Sequence, residues 1–465
     1  MPTPLLASSL RRLRSFGRAP RIMGIDVARG LAVIGMIGAH IGVTEAFEWA
    51  RIETWTDLVH GRSSILFAIV AGISVAILSR GARELPLEDL RTLRLRFLGR
   101  GVAVFAIGLF LEFLNTGVAV ILTFYGIVFV IAIPLLQLSR RQLALAAIFM
   151  ALLGPLLLGT LRVLSQYASG PGLDLVVTGT YPITVWICFL FFGMWIGRGN
   201  LESRSFAAKL LVFGVVVSAT GYGLGALAHA QERYSEGVDS SVSWSNSSPG
   251  SSGSGGSVTT IVPGDEVDLD GLVCERYEDD WVTCYPEGDY VPIDEEPGAE
   301  GEYPGYWETV MNSDPGSQIW DGVIADTPHS GGTLEILGSG GFGTAIIALC
   351  LLIARPLRYV LFPIAALGSM PLSAYSVHVV AILFLAGSAG SAETNTIWIA
   401  LTAALLVGST LWVVLLGRGP LESLTAWTSR RFANGPRSIR AHSVETMPTS
   451  EAFPEPAEST HPDRI

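Results

Sequence analysis

Apolar runs of 18 or more residues recur along this chain, and that one feature decides most of what it can fold into. A run of that length is what the hydrocarbon core of a bilayer demands of a helix. In lipid, only helices and closed barrels satisfy their own backbone, so repeated runs of this length imply a helical bundle. Composition agrees. Half of the 465 residues are hydrophobic and only 15% are charged, where a soluble domain carries about a quarter. The expected fold class is an all-α polytopic membrane protein.

Ten spans are expected, near 23–43, 58–79, 101–116, 118–138, 142–160, 182–198, 207–229, 334–354, 359–387 and 395–416. The third is short, and the ninth is interrupted by Pro363 and Pro371. Arginines set the expected orientation, because cytoplasmic loops carry an excess of basic residues. Arg11, Arg12, Arg14, Arg18 and Arg21 precede the first span, and Arg80, Arg83, Arg91, Arg94, Arg96 and Arg100 follow the second. Arg140 and Arg141, then Arg198 and Arg204, then Arg355 and Arg358 continue the alternation. Loops on the other side keep only Arg51, Arg162, Arg233 and Arg276. This pattern fits both termini inside.

The expected organisation is a cytoplasmic arm (1–22), helices one to seven (23–229), an extracytoplasmic segment (230–333), helices eight to ten (334–416) and a cytoplasmic tail (417–465), disordered from about 433. The outside segment opens with a Ser/Gly-rich linker from Ser240 to Ser257, then turns acidic, which accounts for the net charge of −11. Its aromatics and two cysteines suggest a small cap with a few strands. Cys274 and Cys284 are close enough in sequence to close a loop, and an oxidising exterior would make that a disulfide. Asp265, Asp268 and Asp270 lie together but do not match a calcium-loop spacing, so a solvated acidic loop is the simpler reading. No metal is expected.

Ionisable groups inside a bilayer are costly and therefore functional candidates. Asp26 and Arg29 are three apart in the first span and share a face. His40 follows Arg29 by eleven residues, which brings it within about 20° of the same face and roughly 16 Å further along the helix. His60, Arg62 and Ser63 open the second span at the depth where His40 ends, with Glu112 in the third span at a comparable level and His378 deeper in the ninth. The functional reading is a polar chamber, open to the cytoplasm along the Arg29 face. A histidine there has the pKa range to take a proton at neutral pH, and arginine suits phosphate contact. Each residue also has a plain alternative: an anchoring ion pair for Asp26 and Arg29, and interhelical hydrogen bonds for the histidines and Glu112.

Several segments together resemble the YeiB-type family of bacterial membrane proteins. They are Asp26-Val-Ala-Arg29-Gly30-Leu31, the Arg29-x10-His40 spacing, His60-Gly-Arg-Ser-Ser-Ile-Leu-Phe-Ala-Ile-Val-Ala-Gly72 and Phe124-Tyr-Gly126. Pro328-His-Ser-Gly331, Gly368-Ser-Met-Pro-Leu-Ser-Ala-Tyr-Ser-Val-His378 and Arg418-Gly-Pro-Leu-Glu422 complete the set. That family is related to heparan-alpha-glucosaminide N-acetyltransferase and, more distantly, to the acyltransferase-3 membrane enzymes. The resemblance implies transfer of an acyl group, usually acetyl from acetyl-CoA, to a glycan, glycolipid or other envelope acceptor on the outer face of the plasma membrane. It implies His40 as base or transient acyl carrier, with the donor entering along the Arg29 face. The expected roles are His40 and His60 as catalytic, Asp26 and Arg29 as organisers of the acyl-CoA donor, and Arg62, Ser63, Glu112 and His378 on the acceptor side, where His60 also stands. The first outer loop departs from the heparan enzyme, with Glu45, Glu48 and Glu53 but no histidine.

Expected partners are the lipid bilayer, acyl-CoA, the outer acceptor and a second copy of the chain in a homo-oligomer; nucleic acid is not among them. Two other classes compete. A transporter of a small metabolite or lipid would also want buried ionisable groups, although no inverted repeat is visible. A non-catalytic scaffold or sensor would use the acidic segment as its binding head.

Overall fold

The computed structural model describes residues 12, 16, 21–43, 45, 47–48, 50–165, 168, 170–239, 272–276, 282–286, 305–387 and 394–434. The Ser/Gly-rich stretch, the Asp265–Asp270 cluster and the tail from 435 lie outside the described residues, as does the His229 side chain. The chain divides into two compact units, Gln231–Ser313 and the remainder.

A helix stands at each expected span. They are α1 (Met23–Ile41), α2 (Arg62–Leu78), α3 (Leu87–Phe113), α4 (Ile121–Leu135), α5 (Arg140–Leu164), α6 (Ile183–Gly197) and α7 (Arg204–Asp239). After the second unit come a short α9 (Pro315–Ile324), α10 (Thr333–Ile353), α11 (Phe362–Ser369), α12 (Pro371–Ala386), α13 (Asn395–Leu415) and α14 (Pro420–Asn434). Among the described residues, five of these helices are long and apolar enough to cross a membrane, or six with α11 and α12 taken as one bent span. The chain is a helical membrane protein. Helices α2, α4 and α6 are apolar but shorter, and α3 begins earlier than expected because its charged first half, from Leu87, extends the helix before the apolar stretch.

Local chemistry places the ends. Ser139 and Gln142 form a reciprocal cap: the Ser139 hydroxyl accepts from the Gln142 amide at 3.2 Å, and the Gln142 side chain accepts from the Ser139 amide at 2.8 Å, which satisfies two otherwise orphaned donors at the start of α5. Pro371 lacks an amide hydrogen and cannot continue the preceding helix. There α11 and α12 meet at 88°.

Helix α1 is the hub: 72% of its apolar window is buried, against 17% for α13 and 22% for α7. It packs against α2, α10, α11, α12 and α13. Outward-facing Leu145, Ile148 and Leu152 of α5 and Val212 and Val216 of α7 are exposed apolar side chains, the surface a bilayer would cover.

In the second unit, α8 (Tyr306–Asn312) follows a hairpin of β1 (Leu272–Arg276) and β2 (Val282–Pro286). The strands are antiparallel, and their register sets Cys274 directly opposite Cys284.

Candidate active site

The Asp26–Arg29 pair forms as the spacing requires. Arg29 Nη1 donates to Asp26 Oδ1 at 2.9 Å and to the Gly368 carbonyl at 2.9 Å, and its Nη2 donates to Ser74 Oγ at 2.9 Å. Asp26 Oδ2 lies 2.9 Å from Arg21 Nε. The Gly368 carbonyl reaches Arg29 because α11 crosses α1 backbone to backbone. A Cβ on Gly368 would overlap the Asp26 carbonyl, and one on Gly30 would overlap the Ile364 carbonyl.

Beside this pair lies a cavity of about 800 Å³, within the size range of ligand pockets. Five arginines line it: Arg12, Arg21, Arg29, Arg100 and Arg418. Asp26 and Glu422 are the acids in the lining, and both are engaged. Glu422 accepts from the Leu372 and Ser373 amides at 2.8 and 3.1 Å and from Ser373 Oγ at 2.6 Å, so its charge is spent at the N-terminus of α12. The charged lining is therefore net positive. The rest of the wall is mainly apolar, with Phe67, Ala71, Ile121 and Leu122 and the phenols of Tyr125 and Tyr375. A cavity that combines guanidinium groups with an apolar wall suits a ligand that has both phosphates and an uncharged arm.

Tyr375 lines the cavity, and its hydroxyl accepts from the Ile121 amide at 3.3 Å. His378 lies edge-on to the Tyr375 ring at 4.6 Å. His378 is fully buried, and neither of its nitrogens has a hydrogen-bond partner. It stacks on His40 at 5.7 Å with the rings 9° from parallel. The sequence suggests one continuous passage between Arg29 and His40; in the fold the cavity lining includes Arg29 and Tyr375 but neither His40 nor His378.

A second imidazole pair lies near His40. His60 meets His329 edge-on at 6.3 Å, and both act electrostatically on His40. His329 lies parallel to Trp186 at 6.1 Å and edge-on to Tyr181 at 5.4 Å. Burial pushes its imidazole down to about 4, and His60 adds to that shift while the Thr180 backbone opposes it.

The remaining expected site residues have structural partners. Arg62 Nε donates to the Tyr222 hydroxyl at 2.6 Å and its Nη1 to the Asp57 carbonyl at 2.6 Å. Tyr222 also bonds Ser339 at 2.9 Å, so this network ties α2 to α7 and α10. Ser63 Oγ donates to the Val59 carbonyl at 2.7 Å. Glu112 is exposed and accepts from Thr123 Oγ1 at 2.7 Å. Among the described residues, no group of three or more His, Cys, Asp or Glu is arranged to hold a metal.

Sequence reasoning passed over His329, Arg100, Arg418 and Tyr375 as site residues. Their signal was present in the Pro328-His-Ser-Gly, Tyr375-Ser-Val-His and Arg418-Gly-Pro-Leu-Glu segments. The arginines had been absorbed into the charge asymmetry of the loops.

Residues 21–223 match the family described as heparan-alpha-glucosaminide N-acetyltransferase, catalytic, and residues 326–431 match protein of unknown function (DUF418). The chain carries both domains of the YeiB-type family. No curated protein and no solved structure matched it. The candidate site draws on both matched regions: Asp26, Arg29, His40, His60 and Arg100 come from the first, and His329, Tyr375, His378 and Arg418 from the second. The catalytic match gives the protein a membrane acetyltransferase-like character.

Proposed function

We propose that this protein transfers an acyl group, acetyl foremost, from cytoplasmic acyl-CoA to a glycan, glycolipid or other envelope component on the outer face of the plasma membrane. The observation that carries this reading is the lining of one cavity. Five guanidinium groups and an apolar wall line it together, and Tyr375 of that wall touches His378, which stacks on His40. Phosphates of the donor would sit among Arg29, Arg100 and Arg418, and the acyl arm would run inward to Tyr375.

The acceptor's hydroxyl or amine attacks the thioester carbonyl. A C–O or C–N bond forms and the C–S bond breaks. The sulfur leaves as a thiolate, which takes a proton on the donor side. The acceptor's proton goes to the imidazoles, first to His40. In this scheme Tyr375 has to move for the thioester to meet His40. Placing the donor inside and the acceptor outside corresponds to ten spans with both termini cytoplasmic, as the arginine distribution supports. The facing positions of Cys274 and Cys284 support a disulfide in the outer unit, checked by peptide mapping without reductant; two separate free-thiol peptides would end that assignment.

The deciding experiment is acetyl-CoA binding to the purified protein, wild type against Arg29→Ala. Tight binding weakened at least tenfold by the substitution is expected. Absence of binding in the wild type would remove the acyltransferase reading. The 88° break between α11 and α12 beside the cavity favours a second reading, since broken helices also build transporter sites. Substrate flux in sealed vesicles without acyl-CoA would select it.

A further inference from the structure

The loop between α9 and α10 is held with unusual care. His329 has φ +64°, a left-handed conformation that a non-glycine residue adopts at a cost. Glu335, at 3% exposure, supplies the restraint. Its carboxylate accepts from the His329 amide at 2.7 Å, the Gly331 amide at 2.8 Å and Ser330 Oγ at 3.3 Å. From α5, Arg162 donates to the Ser330 carbonyl at 3.0 Å. Burying a carboxylate is expensive, and here the result is to fix one residue against Trp186 and Tyr181. None of the Glu335 bonds reaches the His329 ring, and its Nδ1 is buried without a hydrogen-bond partner. The ring, bonded also by the Thr180 backbone, is thus held with its Nδ1 still open, 6.3 Å from His60.

We propose that His329 carries the acceptor's proton from the site to the outer face, receiving it by way of His60, and that Glu335 is the positioning residue for that step. The proposal rests on the acyltransferase reading above. When the acceptor loses its proton to His40, that proton must leave before the next turnover, while the departing thiolate takes its own from the donor side. The ring separation between His60 and His329 needs one water or a ring rotation to bridge it. The ionisable groups facing His329 are His60 from the start of α2, Tyr181 ahead of α6, Arg162 of α5 and Glu335 of α10, with His40 in electrostatic reach. Burial keeps the ring neutral at rest, so it passes a proton on without storing it.

Glycine adopts φ +64° freely, so His329→Gly removes the imidazole without straining the loop. Membrane vesicles from cells that make the full chain would be given radiolabelled acetyl-CoA, and label entering vesicle material would be followed. Transfer in His329→Gly is expected to fall about tenfold or more, with acetyl-CoA binding within about twofold of wild type. Added imidazole should restore the variant's rate saturably and leave wild type unchanged. Glu335→Ala should lose transfer, and Glu335→Gln, which can still accept from the loop, should recover most of it. Transfer by His329→Gly near the wild-type rate, or a loss that imidazole does not relieve, overturns this proposal alone. A wild type that binds acetyl-CoA and labels nothing overturns the acyltransferase reading, and this proposal with it.

Discussion

His40 and His378 stack almost in parallel, 5.7 Å apart, joining the end of α1 to the middle of α12. His378 keeps two buried nitrogens without partners, a cost of about 1–3 kcal/mol for each unsatisfied polar group. Its retention at the junction between the cavity and the other imidazoles argues for use over packing. His378→Phe would preserve the ring contact and remove the polar cost. The expected outcome is thermal stability in micelles equal to or above wild type, with transfer reduced about tenfold or more. His40→Ala should reduce transfer about a hundredfold or more and leave acetyl-CoA binding intact. Full transfer in His378→Phe would reduce that residue to packing.

The arginines of the cavity should separate by role. Arg29 is bound to Asp26, Gly368 and Ser74, so Arg29→Ala both weakens donor binding and leaves Asp26 with Arg21 alone. Removing one partner of a buried pair costs about 3–5 kcal/mol, and a clear drop in unfolding temperature is expected. Arg418→Ala should weaken acetyl-CoA binding about tenfold, the equivalent of one charged hydrogen bond, with little change in stability. Titration calorimetry and thermal unfolding on the same samples distinguish the two. Equal binding losses for acetyl-CoA and for acetyl-pantetheine, which lacks the nucleotide phosphates, would argue against phosphate contact at Arg418.

Much of the architecture was legible because lipid imposes its own period. Helices appear at all ten apolar runs, and the Asp26-x-x-Arg29 spacing alone predicted the pair. The eleven-residue step placed His40 at the far end of α1 from Arg29, but sequence spacing could not show that Tyr375 and His378, more than 330 residues later, would pack one against the cavity and the other against His40. His329 was hidden for the same reason. Its position depends on a loop ordered by Glu335 and on the wall of Trp186, contacts that close only in the folded bundle. The bond from Arg62 to Tyr222 was hidden in the same way, because its partner lies 160 residues away on α7.

The crossing of α1 and α11 should tolerate nothing larger than hydrogen. A methyl group on Gly368 would overlap the Asp26 carbonyl and the Gly30 amide, backbone atoms that cannot rotate away. Gly368→Ala is expected to cost about 1–3 kcal/mol or more and to displace the carbonyl that Arg29 uses, so that acetyl-CoA binding weakens along with stability. Gly223→Ala on α7, where the added carbon meets nothing, is the control and should be neutral or gain up to about 1 kcal/mol. Equal unfolding temperatures for the two variants would contradict the close crossing.

Acidification provides an independent check on His329. Its folded-state value of about 4 lies below the ordinary 6.5. Between those two values the unfolded chain binds a proton that the folded chain refuses, so stability is complete above about 6.5 and is lost as pH falls toward 4. The comparison with His329→Gly isolates this residue. The variant should lose less thermal stability than wild type between pH 6.5 and pH 4, with the two curves parallel above pH 7. Parallel curves throughout would mean that the His329 ring is open to water, which is incompatible with the enclosure by Trp186 and Tyr181 on which its role depends.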